Sequence, residues 1–206
     1  MIEAKHSRWF NSLFDLYLYY AFKRHFSKIE IVGEVEDRGL PILIIANHIS
    51  WWDGFWLKHL NKKLFRRQLF VMMLEEQLRK NMFLRKLGAF SIRKGSRDMG
   101  NSLAYAANIL KDPSHVLFLF PQGEIQSQYE FPLKFQNGWG RILARQQSPI
   151  QIVMVAHLLD YLSANKPKLT QYIYSPEQTS GFSCPDLEKT YNDFLAGSLQ
   201  KQKDHR

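Results

Sequence analysis

Cysteine is almost absent from this sequence: Cys184 stands alone among 206 residues. A single cysteine excludes an internal disulfide and a cysteine-based zinc cluster, and it fits a reducing compartment. Long apolar runs are missing as well. No stretch approaches the roughly 18–20 uninterrupted apolar residues of a membrane-crossing helix, which excludes a polytopic membrane protein. The nearest candidate, residues 9–26, is broken by Asn11, Ser12 and Asp15 and has no small-residue cleavage site of the signal-peptide kind. Internal repeats, low-complexity tracts and a domain linker are also lacking. The seven histidines show no paired ligand spacing with Cys or carboxylates, so no metal is expected, and no other cofactor is expected either. Acidic residues are in short supply, 19 against 28 Lys+Arg, for a net charge of +9.

What is present is an ordinary globular composition, 45% hydrophobic and 23% charged, which argues against disorder. A chain of this length makes one domain and buries on the order of 70% of its unfolded surface without a staple. The positive charge is local. Residues 58–97 carry Lys58, Lys62, Lys63, Arg66, Arg67, Arg79, Lys80, Arg85, Lys86, Arg93, Lys94 and Arg97 against Glu75 and Glu76. That segment holds a net +10, and the rest of the chain sums to −1. Such a segment suits an anionic partner: nucleic acid, an anionic membrane surface, a phosphorylated substrate or an acidic carrier.

Residues 1–28 read as an N-terminal amphipathic helix, with Phe10, Leu13, Phe14, Tyr17 and Ala21 at helical spacing and Lys23, Arg24, His25 and Lys28 at its end. It is either a membrane-interfacial helix or a helix packed on the domain, and the two are compatible. Strands are expected at 29–33, 41–47, 68–73, 88–92, 115–120, 149–156 and 169–175. Helices are expected at 51–60, 74–87, 98–110 and 139–147, with an amphipathic tail from Asp186 that frays over 201–206. The alternation indicates an α/β domain with a largely parallel or mixed β-sheet flanked by helices.

In such a sheet, function gathers beyond the carboxyl ends of the strands. The strand at 41–47 ends in Asn47-His48, with Asp53 five residues on. An imidazole there can serve as a general base near neutral pH, and a carboxylate one turn away can hold the tautomer that frees its other nitrogen. The same residues also read blandly, since Ser50-x-x-Asp53 before an apolar run is a capping-box pattern. Trp51, Trp52, Phe55 and Trp56 either wall an apolar channel or pack helix against sheet. Phe120-Pro121-Gln122-Gly123 either offers backbone N–H groups to an anion or simply ends a strand.

Four blocks in order over about residues 40–156 resemble the glycerolipid acyltransferase family, typified by 1-acylglycerol-3-phosphate O-acyltransferase. N-H-x-x-x-x-D is matched by Asn47, His48 and Asp53; a Gly–apolar–basic strand by Gly88 through Lys94; F-P-x-G by Phe120, Pro121 and Gly123; and a Pro-led apolar strand by Pro149 through Val155. The resemblance implies an acyltransferase domain over 29–206. In it His48 deprotonates an acceptor hydroxyl for attack on an acyl thioester, and Asp53 supports it. Acyl-CoA or acyl carrier protein would be the co-substrate, with a lysophospholipid as lipid acceptor. The site would lie peripherally on the cytoplasmic side of the cell membrane. Candidate substrate-binding residues are Arg93, Lys94 and Arg97 for phosphate, then Phe120, Pro121, Gln122, Gly123 and Glu124, with Lys134 and Gly138 as weaker candidates. The third block departs from the family's F-P-E-G-T-R-S: Gln122 replaces the glutamate and Ile125 stands where the arginine would be. This difference bears on the acceptor more than on the reaction, and it leaves open a non-phosphate lipid acceptor or a non-catalytic lipid-binding relative. A nucleic-acid-binding module is the reading from a different class. Zinc-finger spacing, an RNP-like string and a clear helix-turn-helix are all missing, so no nucleic acid partner is expected.

Overall fold

The apolar segments assemble, in the computed structural model, into one seven-stranded mixed sheet; the structure describes residues 1–204 apart from 94, 97, 137, 139 and 147. The strands are β1 (Lys28–Val32), β2 (Ile42–Ala46), β3 (Gln68–Leu74), β4 (Ala89–Ile92), β5 (His115–Leu119), β6 (Gln151–Asp160) and β7 (Lys168–Tyr174), in the order β1-β7-β6-β2-β5-β3-β4. The neighbouring strands β6, β2, β5, β3 and β4 run parallel. The β6–β7 pair is antiparallel, and β1 is parallel to β7. The helices are α1 (Arg8–His25), α2 (Asp53–Leu64), α3 (Glu75–Lys80), α4 (Met99–Ile109), α5 (Gly140–Leu143) and α6 (Cys184–Asp204), with a 3₁₀ helix at Met82–Leu87.

β2 is the centre of the core, and all five of its residues are buried. Ile42, Ile44 and Ala46 pack towards Leu57 and Leu60 of α2, whereas Leu43 and Ile45 join Leu103 of α4 and Tyr191 of α6. Each fully buried aliphatic side chain contributes about 1.5–3 kcal/mol, so the uninterrupted Ile-Leu-Ile-Ile run specifies a strand covered on both faces. Because β2 and β5 are parallel neighbours with Ile45 opposite Leu119, their carboxyl ends lie side by side. The segments that follow them, at His48 and Phe120, are thereby brought together.

Several boundaries differ from the sequence-based expectation. The helical stretch at 74–87 divides at Asn81, whose φ of −132° and ψ of 53° leave the helical region. Gly88 then turns the chain into β4 at φ +105°, where a Cβ would stand 2.1 Å from the Leu69 carbonyl oxygen and 2.7 Å from His6 Nε2. Only glycine permits that approach. β6 extends to Asp160, paired with Lys168 of β7. The tail does not fray at 201: α6 continues to Asp204, because Gln202 accepts a 2.8 Å hydrogen bond from the Tyr172 hydroxyl and donates to Asp160.

The apolar residues of α1 do not form one stripe. Phe14, Leu18, Ala21 and Phe22 turn inward, the last against Trp52 and Phe26. Trp9, Leu13, Leu16, Tyr17 and Tyr20 point outward and are 50–76% exposed. The helix is packed on the domain and still presents an aromatic outer face. No helix among the described residues is long and apolar enough to cross a membrane.

The basic segment is likewise not one free face. Asp15 of α1 pairs with Lys58 and Lys62 at 2.7 and 2.8 Å, Asp37 pairs with Arg67, and Glu75 pairs with Arg79 and Arg93 at 2.8 and 2.6 Å. Opposing charge came partly from outside residues 58–97, which no local count could register.

Candidate active site

The connection from β2 to α2 is tied down by one carboxylate. Asp53 lies in the first turn of α2 with no solvent exposure, and its Oδ2 accepts from Ile49 N at 2.7 Å, Ser50 N at 2.9 Å and His48 Nδ1 at 2.6 Å. Half of the capping box is formed: Asp53 Oδ2 takes the Ser50 N–H, but Ser50 Oγ accepts from Trp52 N rather than from Asp53 N. Burial alone would raise the Asp53 carboxyl, but the contacts of His157 and His48 outweigh it and hold the group below the ordinary carboxylate value. Asp53 is therefore an anion at neutral pH. His48 Nδ1–H donates to this anion, and in that tautomer the neutral ring keeps Nε2 free to accept a proton.

The segment after β5 supports the same histidine from the other side. Phe120 stacks on the His48 ring, with centroids 4.4 Å apart and planes 21° from parallel. Gln122 is buried, and both ends of its amide are engaged inside the protein: Oε1 accepts from His48 N at 2.6 Å and Nε2 donates to Gln126 Oε1 at 2.7 Å. Gln126 in turn donates its backbone N–H to the His48 carbonyl at 2.8 Å. The glutamine in the altered block thus braces the His48 backbone. Gly123 donates its N–H to Phe120 O at 3.0 Å and closes the turn, so the N–H expected to face an anion is used within the loop.

A cavity of about 770 Å³ opens at His48. Phe120, Pro121, Gly123 and Glu124 line it from the loop after β5, and Val71, Met72, Met73 and Leu74 of β3 with Leu84, Leu87, Ile92 and Leu103 supply an apolar wall. The four aromatics after His48 divide evenly. Trp51 and Phe55 line the cavity, whereas Trp52 packs on Phe22 and Phe26 and Trp56 packs on Phe26 and His157.

The candidate phosphate-binding residues are placed less compactly. Arg93 is exposed and held by Glu75 Oε1 at 2.6 Å, and Arg93 and Arg79 together lower the Glu75 carboxyl to about 2. Lys94 and Arg97 lie outside the described residues. Lys134 is exposed on a loop fastened to α6, with Leu133 N donating to Asn192 and Phe135 N to Glu188, and it is not a lining residue of the cavity; Gly138 is.

Sequence reasoning missed three participants. Arg141 of α5 brings a cation to the cavity; its position in the chain carries no motif. Lys58, counted in the basic segment, is buried at 8% exposure and lines the cavity while paired to Asp15. His157 of β6 has no exposure and faces Asp53 Oδ1 through Nδ1 at 3.4 Å. It stands 109 residues from His48 in an apolar strand, and only the β2–β6 pairing unites the two.

A protein-family model described as Acyltransferase matches residues 28–156, a span that includes β1 through β5, His48, Asp53 and the Phe120–Gly123 turn. Among curated proteins, none matches the chain.

Proposed function

The chain belongs to the acyltransferase family, and on that premise we propose that it is an O-acyltransferase moving a fatty acyl group from acyl-CoA or acyl carrier protein to the hydroxyl of a lysophospholipid such as 1-acylglycerol-3-phosphate. The observation that carries this reading is a histidine whose Nδ1 lies 2.6 Å from a buried carboxylate and which lines a cavity of about 770 Å³ walled by aliphatic and methionine side chains. A fatty chain gains about 0.8 kcal/mol for each methylene it buries in such a cavity.

In the reaction, His48 Nε2 removes the proton of the acceptor hydroxyl as its oxygen attacks the thioester carbonyl carbon. Asp53 holds the Nδ1 proton and stabilises the imidazolium that forms. The tetrahedral intermediate collapses with loss of the thiolate, which recovers the proton from His48. The ester and the free thiol are the products, and the imidazole is returned neutral.

A second reading changes only the acceptor. Arg93 is paired with Glu75, and Gln122 is engaged with the His48 backbone, so the described residues offer Arg141 as the cation of the cavity that has no carboxylate salt-bridge partner. That arrangement suits a glycolipid, aminolipid or hydroxylated lipid as well as a phosphorylated one.

The protein works from a membrane surface, peripherally and on its cytoplasmic side. The outward aromatic face of α1 supports this, and so does a second cavity of about 510 Å³ edged by Lys23, Lys28, Lys62, Lys63 and Arg66 between α1 and α2. Aromatic rings and cations together suit the headgroup region of anionic lipid.

The deciding experiment is an acceptor panel with a labelled acyl thioester presented on CoA and on carrier protein. Transfer to lysophosphatidate or another lysophospholipid is the expected result. Transfer confined to phosphate-free lipids selects the second reading, and no ester with any acceptor and either donor refutes both.

A further inference from the structure

Asp53 faces two imidazoles. His48, Ile49 N and Ser50 N converge on Oδ2, whereas Oδ1 faces His157 alone among the described residues, with Nδ1 3.4 Å away. His157 is held rigidly. Its backbone N–H donates to Asn47 Oδ1 at 2.7 Å, its carbonyl accepts from Asn47 Nδ2 at 2.9 Å, and Trp56 meets its ring edge-on at 5.2 Å. Asn47 therefore locks β6 to the residue immediately before His48. On the far side of the ring, the Gln171 amide nitrogen lies 3.1 Å from Nε2. With the Gln171 amide in this orientation its N–H meets Nε2 as the acceptor, and the proton of the neutral imidazole then lies on Nδ1, facing Asp53.

Asp53 Oδ1, His157 Nδ1, Trp56 Nε1 and Gln171 Oε1 are all buried without a closer hydrogen-bond partner among the described residues. Polar atoms buried in this way are costly compared with aliphatic side chains. They gather behind the candidate base, next to a strand that is otherwise Ile, Val, Met, Ala and Leu over residues 152–159.

We infer that His157 is a positioning residue for the His48–Asp53 pair, presenting its Nδ1–H to Asp53 Oδ1 so that the carboxylate stays ionised and aligned while His48 takes up the acceptor proton. The inference rests on His48 being the base. Asp53 and Trp56 from α2 and Gln171 from β7 face the His157 ring, Asn47 holds its backbone, and His48 and Tyr191 of α6 stand near Asp53. Of these only Asp53, His48 and Tyr191 titrate, and burial pushes the Tyr191 phenol up and keeps it neutral while it donates to Val155 O at 2.8 Å. The sign of the coupling follows. Removing the His157 N–H leaves Asp53 a less satisfied anion, which holds the His48 proton more tightly and moves the His48 titration to higher pH.

The test uses full-length protein labelled with ¹⁵N-histidine, followed by NMR over about pH 5–8, with H157F, H157N and Q171L. H157F keeps the ring volume and removes both nitrogens, and H157N restores a donor near the Nδ1 position. In the wild type, His157 is expected as the neutral Nδ1–H tautomer. H157F raises the His48 midpoint and lowers kcat about 10–100-fold with KM within about twofold, and H157N recovers most of both. A folded H157F with an unchanged His48 titration and kcat overturns the proposal, and so does a wild-type His157 carrying its proton on Nε2. Should H157F not fold, the wild-type tautomer and its loss in Q171L decide the matter. The titration needs no substrate. A shifted His48 midpoint in a protein that acylates nothing upholds the coupling and refutes the acyltransferase reading, and the reverse pattern does the opposite.

Discussion

Replacing Asp53 separates its two duties, because Ala removes both oxygens and Asn keeps one. Oδ2 satisfies three donors, His48 Nδ1 and the backbone N–H groups of Ile49 and Ser50, at 2.6–2.9 Å. In D53A all three lose their acceptor. At about 1–3 kcal/mol for each donor shut away from water, the loss is several kcal/mol against a total stability of about 5–15 kcal/mol. In D53N the amide oxygen takes the Oδ2 seat and keeps the backbone donors paired, while its NH₂ group meets His157 Nδ1 donor to donor. The expected stability loss is then about 1–2 kcal/mol, or a fall in Tm of about 2–8 °C at this chain length. Activity behaves differently, since Asn carries no charge to stabilise the His48 imidazolium, and kcat falls about 10²–10⁴-fold. Chemical denaturation and steady-state transfer measured on the same preparations make the comparison. Asp53 also has a depressed pKa, so its contribution to stability is present above the unfolded-state carboxylate value and is lost as pH drops through the folded one. The stability gap between wild type and D53N should close on acidification. A D53N enzyme with wild-type kcat, or a D53A protein as stable as D53N, would refute this division of roles.

Three further outcomes are expected. E75Q removes the carboxylate that pairs Arg79 and Arg93; because that group sits at about 2 in the folded protein, wild type should melt above E75Q at neutral pH and the gap should shrink as pH falls from about 4 toward 2, whereas a pH-independent gap contradicts the pairing. M73W narrows the cavity wall; displacing about two methylenes at about 0.8 kcal/mol each shifts the donor preference toward shorter chains about 15-fold, measured as a ratio of kcat/KM, and an unchanged chain-length profile places the acyl group elsewhere. Changing Trp9, Leu13 and Tyr20 together to Ser strips the outer face of α1 without touching its packed side; co-sedimentation with phosphatidylglycerol vesicles should drop about tenfold or more with far-UV circular dichroism unchanged, and undiminished binding removes α1 from the membrane surface.

The central strands were legible because β2 and β5 are short apolar runs bounded by polar or turn residues, buried so uniformly that the pattern admits little else, whereas β1 and β7 showed themselves by β-branched and aromatic residues alternating with polar ones. Asn47, His48 and Asp53 were legible because a histidine and a carboxylate five residues apart straddle one strand-to-helix turn. Long-range partners were not. Gln122 had to be seen beside His48 N to become a brace, Asp15 had to be folded onto α2 to neutralise Lys58 and Lys62, and His157 looked like a lone polar residue in a core strand. Each of these contacts joins residues separated by 43 or more positions, across a strand order that crosses over itself. The two faces of α1 escaped for a different reason: residues are apolar nearly all round that helix, so periodicity alone could not choose the packed side.

His48 is the group that takes the acceptor proton. The most direct measurement of that role compares wild type and H48A in transfer from a labelled acyl thioester to the best acceptor of the panel, with folding verified by melting. H48A is expected to fold and to show a kcat reduced about 10²–10⁴-fold. A folded H48A that retains more than a few per cent of wild-type transfer would contradict it.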